Sequence, residues 1–367
     1  MSKLSTLSWG LYLSSSWTWC IGMFLPVILL QRYGLAGYLV FAIPNVIGCT
    51  AFGYVMGNPE RSRNFVARHT KLMMAFSLVT IIFHFYFLLM LLRIHDVGLA
   101  ICLLLVLVTV VLLIASLRLS MRSFLCLALL SYGASLVAGS SLFDTEFLVQ
   151  GSQAWYEAFY LLPLTGIGFL LCPYFDLTFH KALQCAPSKH SFAVFGVSFV
   201  PMILITVFYQ DIVLEAMPIL LLLHLGGQAL FSMGVHAKEL SQQISVATRT
   251  KVLSVSCALL LMVGAVMLWP NQTTQFWLDN YLRFFVFYGV VFPALLIATA
   301  IDKKHYPLLL MSVLIALPFL ELGVIAQISY LAIVPAVIVL YWAWLAVVKG
   351  KPEPISRPSH PSRVPHA

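Results

Sequence analysis

Charge is what this chain of 367 residues has least of: Asp, Glu, Lys and Arg make up 9% of it, and apolar residues 61%. A soluble domain carries roughly a quarter charged residues. With a mean hydropathy of +0.96, a water-soluble globule is excluded and the membrane class remains. Acids are the scarcer sign, 13 against 21 Lys and Arg. Those bases lie in short joins between apolar runs rather than along one amphipathic face, which excludes a nucleic-acid surface and reads as membrane topology. Also missing is any CxxC pair. All seven cysteines (Cys20, Cys49, Cys102, Cys126, Cys172, Cys185, Cys257) lie within or at the ends of apolar runs, so neither a disulfide framework nor a zinc site is indicated. No small-residue cleavage site follows the first apolar run, which is as long as a spanning helix. The start is therefore read as mature protein.

What is present is a series of apolar runs. Those of about 17–25 residues qualify as spanning helices, and the sequence holds twelve: 8–30, 34–56, 72–92, 98–116, 123–142, 158–183, 191–210, 213–235, 252–270, 280–300, 307–325 and 329–348. No join is long enough for a folded soluble domain. Residues 1–348 thus read as a single transmembrane domain, and 349–367, rich in Pro, Ser, Arg and His, as a disordered cytoplasmic tail.

The joins alternate in charge. One set holds Arg61, Arg63, Arg68, Lys71, Arg118, Arg122, Lys181, Lys189, Lys238, Arg249, Lys251, Lys303 and Lys304, with Lys3 and the basic tail; the other holds Asp96, Asp144, Glu146, Glu157, Asp211, Glu215 and Asp279, with only Arg32, Arg93 and Arg283 against the trend. Short cytoplasmic loops carry the basic excess. Both termini are accordingly expected in the cytoplasm of a protein integral to a membrane, with a bacterial inner membrane as the expected location.

Segment 6 is the informative one. Gly166-Ile167-Gly168-Phe169-Leu170-Leu171-Cys172-Pro173-Tyr174-Phe175-Asp176 is an apolar run interrupted by a proline and followed by an acid. Proline removes a helix hydrogen bond, and freed backbone groups in lipid are tolerated only where protein or a wet cavity satisfies them. An intramembrane acid is a functional candidate by default. Segment 1 carries Ile21-Gly22-Met23-Phe24-Leu25-Pro26, offset from Ile167-Gly168 by 167 − 21 = 146 positions. Segments 2 and 7 follow with Phe41-Ala42-Ile43-Pro44 and Ser198-Phe199-Val200-Pro201. Matching breaks in helices five apart imply an inverted repeat, since an odd offset reverses the entry side.

These residues, with Trp17-Thr18-Trp19-Cys20 before them and Gly34-Leu35-Ala36-Gly37 after, resemble the opening of each half of a leucine-transporter-fold protein of the amino acid/polyamine/organocation superfamily, most nearly the sodium:solute symporter family. The resemblance implies an all-α polytopic membrane protein of about twelve helices. It implies a 5+5 inverted repeat (8–142 and 158–300), two extra C-terminal helices (307–348), and segments 1 and 6 broken around a substrate site. It also implies cation coupling, with no cofactor beyond a sodium ion. One departure stands out: helix 8 of sodium-coupled relatives supplies paired hydroxyls, and segment 8 here has Ser232 alone.

Candidate substrate-binding residues are then Trp19, Gly22, Phe24, Gly168, Cys172, Tyr174 and Asp176. Candidate cation or proton coupling residues are Cys20, Asp176, His224, Gln228 and Ser232. For Asp176 a helix-capping role stands beside the coupling role, since a carboxylate at a half-helix start does both. His224 and Gln228 share one face at i, i+4, and a histidine there relays protons or simply bonds a backbone carbonyl. His180 is expected exposed at the cytoplasmic edge. His84 and Glu321 complete the deep ionisable residues, with Glu321 able to pair with a neighbour or lie near the surface. Ser14, Ser15, Ser16 and Thr18 either satisfy backbone groups or coordinate a cation.

The expected function is secondary transport of a small polar solute driven by a cation gradient, with the lipid bilayer as surround and no nucleic-acid partner. A membrane sensor or assembly partner of the same fold is the alternative. A membrane-embedded transferase using His84 or His224 as base is the other; no nucleophile–base arrangement or metal-ligand spacing stands out, so an enzyme is not expected. A twelve-helix major-facilitator bundle is the competing fold. Solute, coupling ion and oligomeric state are left open.

Overall fold

The structure, a computed structural model, describes residues 3–142, 151–209, 218–244 and 272–349, with scattered positions between 256 and 268. Most of the expected segment at 252–270, the acids of the 143–150 join and the tail from 350 lie outside the described residues.

The described residues form helices and no strand. In order they are α1 (Lys3–Trp17), α2 (Cys20–Tyr33), α3 (Leu35–Met56), α4 (Pro59–Ile94), α5 (Leu99–Ser116), α6 (Met121–Ser140), α7 (Leu162–Phe175), α8 (Leu177–Cys185), α9 (Ser191–Leu204) and α10 (Ile219–Gln243). Then come α11 (Thr274–Val286), α12 (Phe292–Ala300), α13 (Tyr306–Leu320) and α14 (Ile333–Lys349). Among the described residues eight helices are long and apolar enough to cross a membrane, or ten if each of two bent pairs is one span. The described residues are all-helical, and their long apolar helices are compatible with a polytopic membrane protein.

The two bent pairs are α1–α2, turning by 60°, and α7–α8, turning by 56°. The second break falls at Asp176, three residues after Pro173, where a proline's lost hydrogen bond is felt. The first does not fall where the Gly–Pro motif suggests. It lies at Thr18–Trp19, and Pro26 sits inside the continuous α2. The matched motif therefore follows its break in one pair and precedes it in the other. Its prolines are local features of each helix and do not mark equivalent points.

Three other boundaries differ from expectation. α4 begins at Pro59, because Asn58 caps it by accepting from Arg61 N–H at 2.9 Å and proline suits the first turn. Its first turns form an arm joined to the long helix by a kink at His69. α10 runs eight residues past the expected end at 235, to Gln243. α11 and α12 are continuous through a π turn at Phe287–Val291, a local widening of the helix.

Burial is graded. In α2 every residue but Gln31 is buried, whereas only 11% of the most apolar stretch of α5 is. A helix apolar on all sides and exposed in the fold faces lipid, so α5 lies outside and α1–α2 at the centre. Close backbone approach holds α7 beside α3: a Cβ added at Gly48 would stand 2.6 Å from the Phe169 carbonyl oxygen.

Candidate functional site

Each break leaves helix ends whose backbone groups need partners, and the partners bring the site together. At the first, Cys20 N–H donates to His84 Nε2 at 3.3 Å, while His84 Nδ1 lies 2.7 Å from the Thr80 carbonyl. A carbonyl only accepts and an amide only donates, so the proton of this imidazole is on Nδ1. The Cys20 carbonyl accepts from Tyr281 Oη at 2.8 Å, and Tyr209 Oη donates to the Met23 carbonyl. Ser14, Ser15, Ser16 and Thr18 bond the carbonyls of Gly10, Ala128, Leu13 and Ser14. These bonds fill the backbone role expected of them.

At the second break Asp176 Oδ1 accepts from Thr178 N–H at 2.7 Å and caps α8. The Tyr174 carbonyl, left free by the turn, accepts from His180 Nε2 at 3.1 Å. His180 Nδ1 then accepts from Ser62 Oγ at 2.8 Å, on the α4 arm, and Gln184 Nε2 donates to the same hydroxyl. His180 is therefore buried, 1% exposed, and not at the open edge. Its second face is covered by Phe65 of the arm, stacked 5.6 Å away, which the expected start of that helix at 72 left out.

The two breaks adjoin: Thr178 Oγ1 lies 3.5 Å from Ser16 Oγ. Facing them is His236 of α10. Its Nε2 stands 3.8 Å from Asp176 Oδ2, too far for a hydrogen bond. Its ring packs on Trp19 at 5.4 Å, and its Nδ1 lies 3.4 Å from Ser77 Oγ. Asp176 Oδ2, His236 Nε2, Trp19 Nε1 and Ser232 Oγ are all buried and make no hydrogen bond. Buried polar groups are normally satisfied, so a cluster that is not invites explanation. From Trp19 a chain of ring contacts runs through Phe76, Tyr288 and Phe292.

The expected residues divide. Trp19, Cys20 and Asp176 lie at the breaks, and Gly22 stands in the first turn of α2, where an added Cβ would lie 3.6 Å from the Trp17 carbonyl oxygen. Cys172 Sγ contacts the Tyr288 carbonyl at 3.9 Å. Ser232 is one turn before His236 on α10. Gly168 sits further up α7, where an added Cβ would lie 3.7 Å from Gly289. Phe24 packs on Phe87 and Tyr281 further along α2. Tyr174 turns away onto Phe52 and Phe65. His224 and Gln228 also lie elsewhere: both bond Ser135 of α6, at 2.9 and 2.7 Å. Glu321 pairs with Arg283 through two contacts at 3.1 and 2.5 Å, both side chains nearly half exposed. The expected end of α10 at 235 stops one residue short of His236. The repeat of four from His224 through Gln228 and Ser232 pointed to it.

Chemically, a buried carboxylate and a buried imidazole face each other at the junction of four half-helices. Such a pair can hold, pass or release a proton. Among the described residues no group of three His, Cys, Asp or Glu is spaced to hold a metal ion. No protein family, curated protein or solved structure matches this chain.

Proposed function

We propose that this protein is a secondary active transporter of a small polar solute, working by alternating access around the broken helices α1–α2 and α7–α8. One observation carries the reading. Where the two breaks meet, Asp176 Oδ2, His236 Nε2 and Trp19 Nε1 are buried without partners, at the place where broken-helix transporters hold substrate and coupling ion. Twelve spans in a leucine-transporter-like 5+5 inverted repeat, with both termini cytoplasmic in a bacterial inner membrane, belong to this proposal. The proton suits the site better than sodium. A hard cation takes several oxygen ligands, and α10 offers Ser232 alone beside an imidazole, whereas Asp176 and His236 are both proton carriers.

The test is thermal unfolding of the purified protein with amino acids, sugars, nucleobases and osmolytes at two pH values, with and without sodium, followed by uptake of any hit into proteoliposomes. A ligand of the folded state raises apparent stability by mass action. The expected result is one solute class whose effect depends on pH and not on sodium, and loses that dependence in Asp176→Asn. If no solute stabilises the wild type and Asp176→Asn is merely less stable, the acid is a cap and the fold serves a membrane sensor or assembly partner.

A further inference from the structure

A second polar cluster on α10 lies away from the breaks, at the bottom of a lateral cleft of about 530 Å³ between α5, α6 and α10. Its walls are apolar, among them Leu112, Leu127, Leu130 and Phe231, and its floor carries Ser135, His224 and Gln228. The exposed α5 and α6 flank it, so it opens towards lipid.

The hydrogen bonds fix what the floor presents. Ser135 Oγ lies 2.8 Å from the Ser131 carbonyl, which can only accept, so its proton goes there. The hydroxyl's remaining capacity is to accept, from Gln228 Nε2 at 2.7 Å and from His224 Nδ1 at 2.9 Å. The imidazole proton is thus on Nδ1, leaving Nε2 a bare acceptor. Gln228 is 1% exposed and its Oε1 has no partner. The floor is short of donors, and hydrocarbon supplies none; leaving an amide oxygen unpaired there is costly.

We propose that this cleft binds a neutral lipid with a hydroxyl head and a hydrocarbon body, the hydroxyl donating to Gln228 Oε1 and the chain lying on the apolar walls. A phospholipid tail would fill the walls without serving the floor. The site is independent of the transport reading.

The probe is hexadecanol carrying a photoactivatable diazirine and an alkyne tag, applied to the protein in nanodiscs, with the equally tagged hydrocarbon lacking the hydroxyl as control. Labelling should map to α6 and α10, be displaced by plain hexadecanol, and exceed the control. It should fall about fivefold in Gln228→Leu, the worth of one net hydrogen bond. Gly227→Leu gives a second route: Gly227 lines the cleft, and an added Cβ there meets nothing within 4 Å. That side chain should block labelling while leaving the polar floor and the unfolding midpoint unchanged. Equal labelling by the hydrocarbon, wild-type labelling in both variants, or cross-linking of a second copy across the cleft would each overturn the proposal.

Discussion

Four polar residues spaced by four on α10 end in two different settings. His224 and Gln228 close on Ser135, which accepts from both. Ser232 and His236 turn to the breaks, where Ser232 Oγ and His236 Nε2 are left unpaired. With 3.6 residues per turn, each step of four advances about 40° around the axis, so three steps turn the stripe by about 120°. One stripe therefore addresses two neighbours. At one end the partner is a hydroxyl that absorbs the donors; at the other it is an acid already committed by one oxygen to capping α8. The comparison teaches that equal spacing confers equal geometry along a helix but not equal function.

The comparison breaks most visibly at Asp176. Asp176→Asn keeps an oxygen for the Thr178 N–H but removes the charge that faces His236. Uptake of the solute should fall roughly 10- to 100-fold, the range of typical coupling energies, while the unfolding midpoint stays close to wild type. Unaltered uptake in proteoliposomes would end the coupling role.

The next effect is on stability. His84→Leu leaves the buried Cys20 N–H without its acceptor, and an unsatisfied buried group costs about 1–3 kcal/mol. A clear drop in unfolding temperature in detergent is expected, with His84→Gln recovering part of it by restoring an acceptor. If His84→Leu is as stable as wild type, the first break does not depend on this bond.

At the other end of the stripe, Ser135→Ala leaves His224 Nδ1–H without its acceptor and leaves Gln228 Nε2 only its longer bond to the Ser131 carbonyl, at 3.4 Å. A loss of about 1–2 kcal/mol is expected, with the pH dependence of uptake unchanged. A change in that dependence would merge the two clusters into one functional unit. Gln228→Leu is the mildest, about 0.5–1 kcal/mol by the net worth of its bond to Ser135, again without effect on uptake. Equal losses from Gln228→Leu and Asp176→Asn in uptake would erase the distinction altogether.

The site was half legible beforehand. Pro173 followed by Asp176 signals a broken helix and a capping acid from local chemistry alone, and both are seen. Trp19 and Cys20 do lie at the first break, although the Gly–Pro motif that suggests a break stands beyond it. No proline or glycine occupies Thr18–Trp19. That turn is held by distant partners, His84 on α4 and Tyr281 on α11, and such partners leave no mark in the local sequence. His180 differs from expectation for the same reason: a histidine before a basic join looks like a surface residue until the α4 arm folds over it.

Taken alone, the sequence determined the environment and the secondary structure, because in hydrocarbon a backbone must satisfy its own hydrogen bonds and long apolar runs have little choice but helix. It also determined where an acid would sit at a helix start. Which polar side chains meet was decided only by the tertiary structure, since it depends on how far each helix is rotated about its axis and which neighbour it then faces. A rotation of about 120° from His224 to His236 along α10 separates a cluster gathered on Ser135 from one at the breaks, and only the packed bundle fixes where that rotation begins.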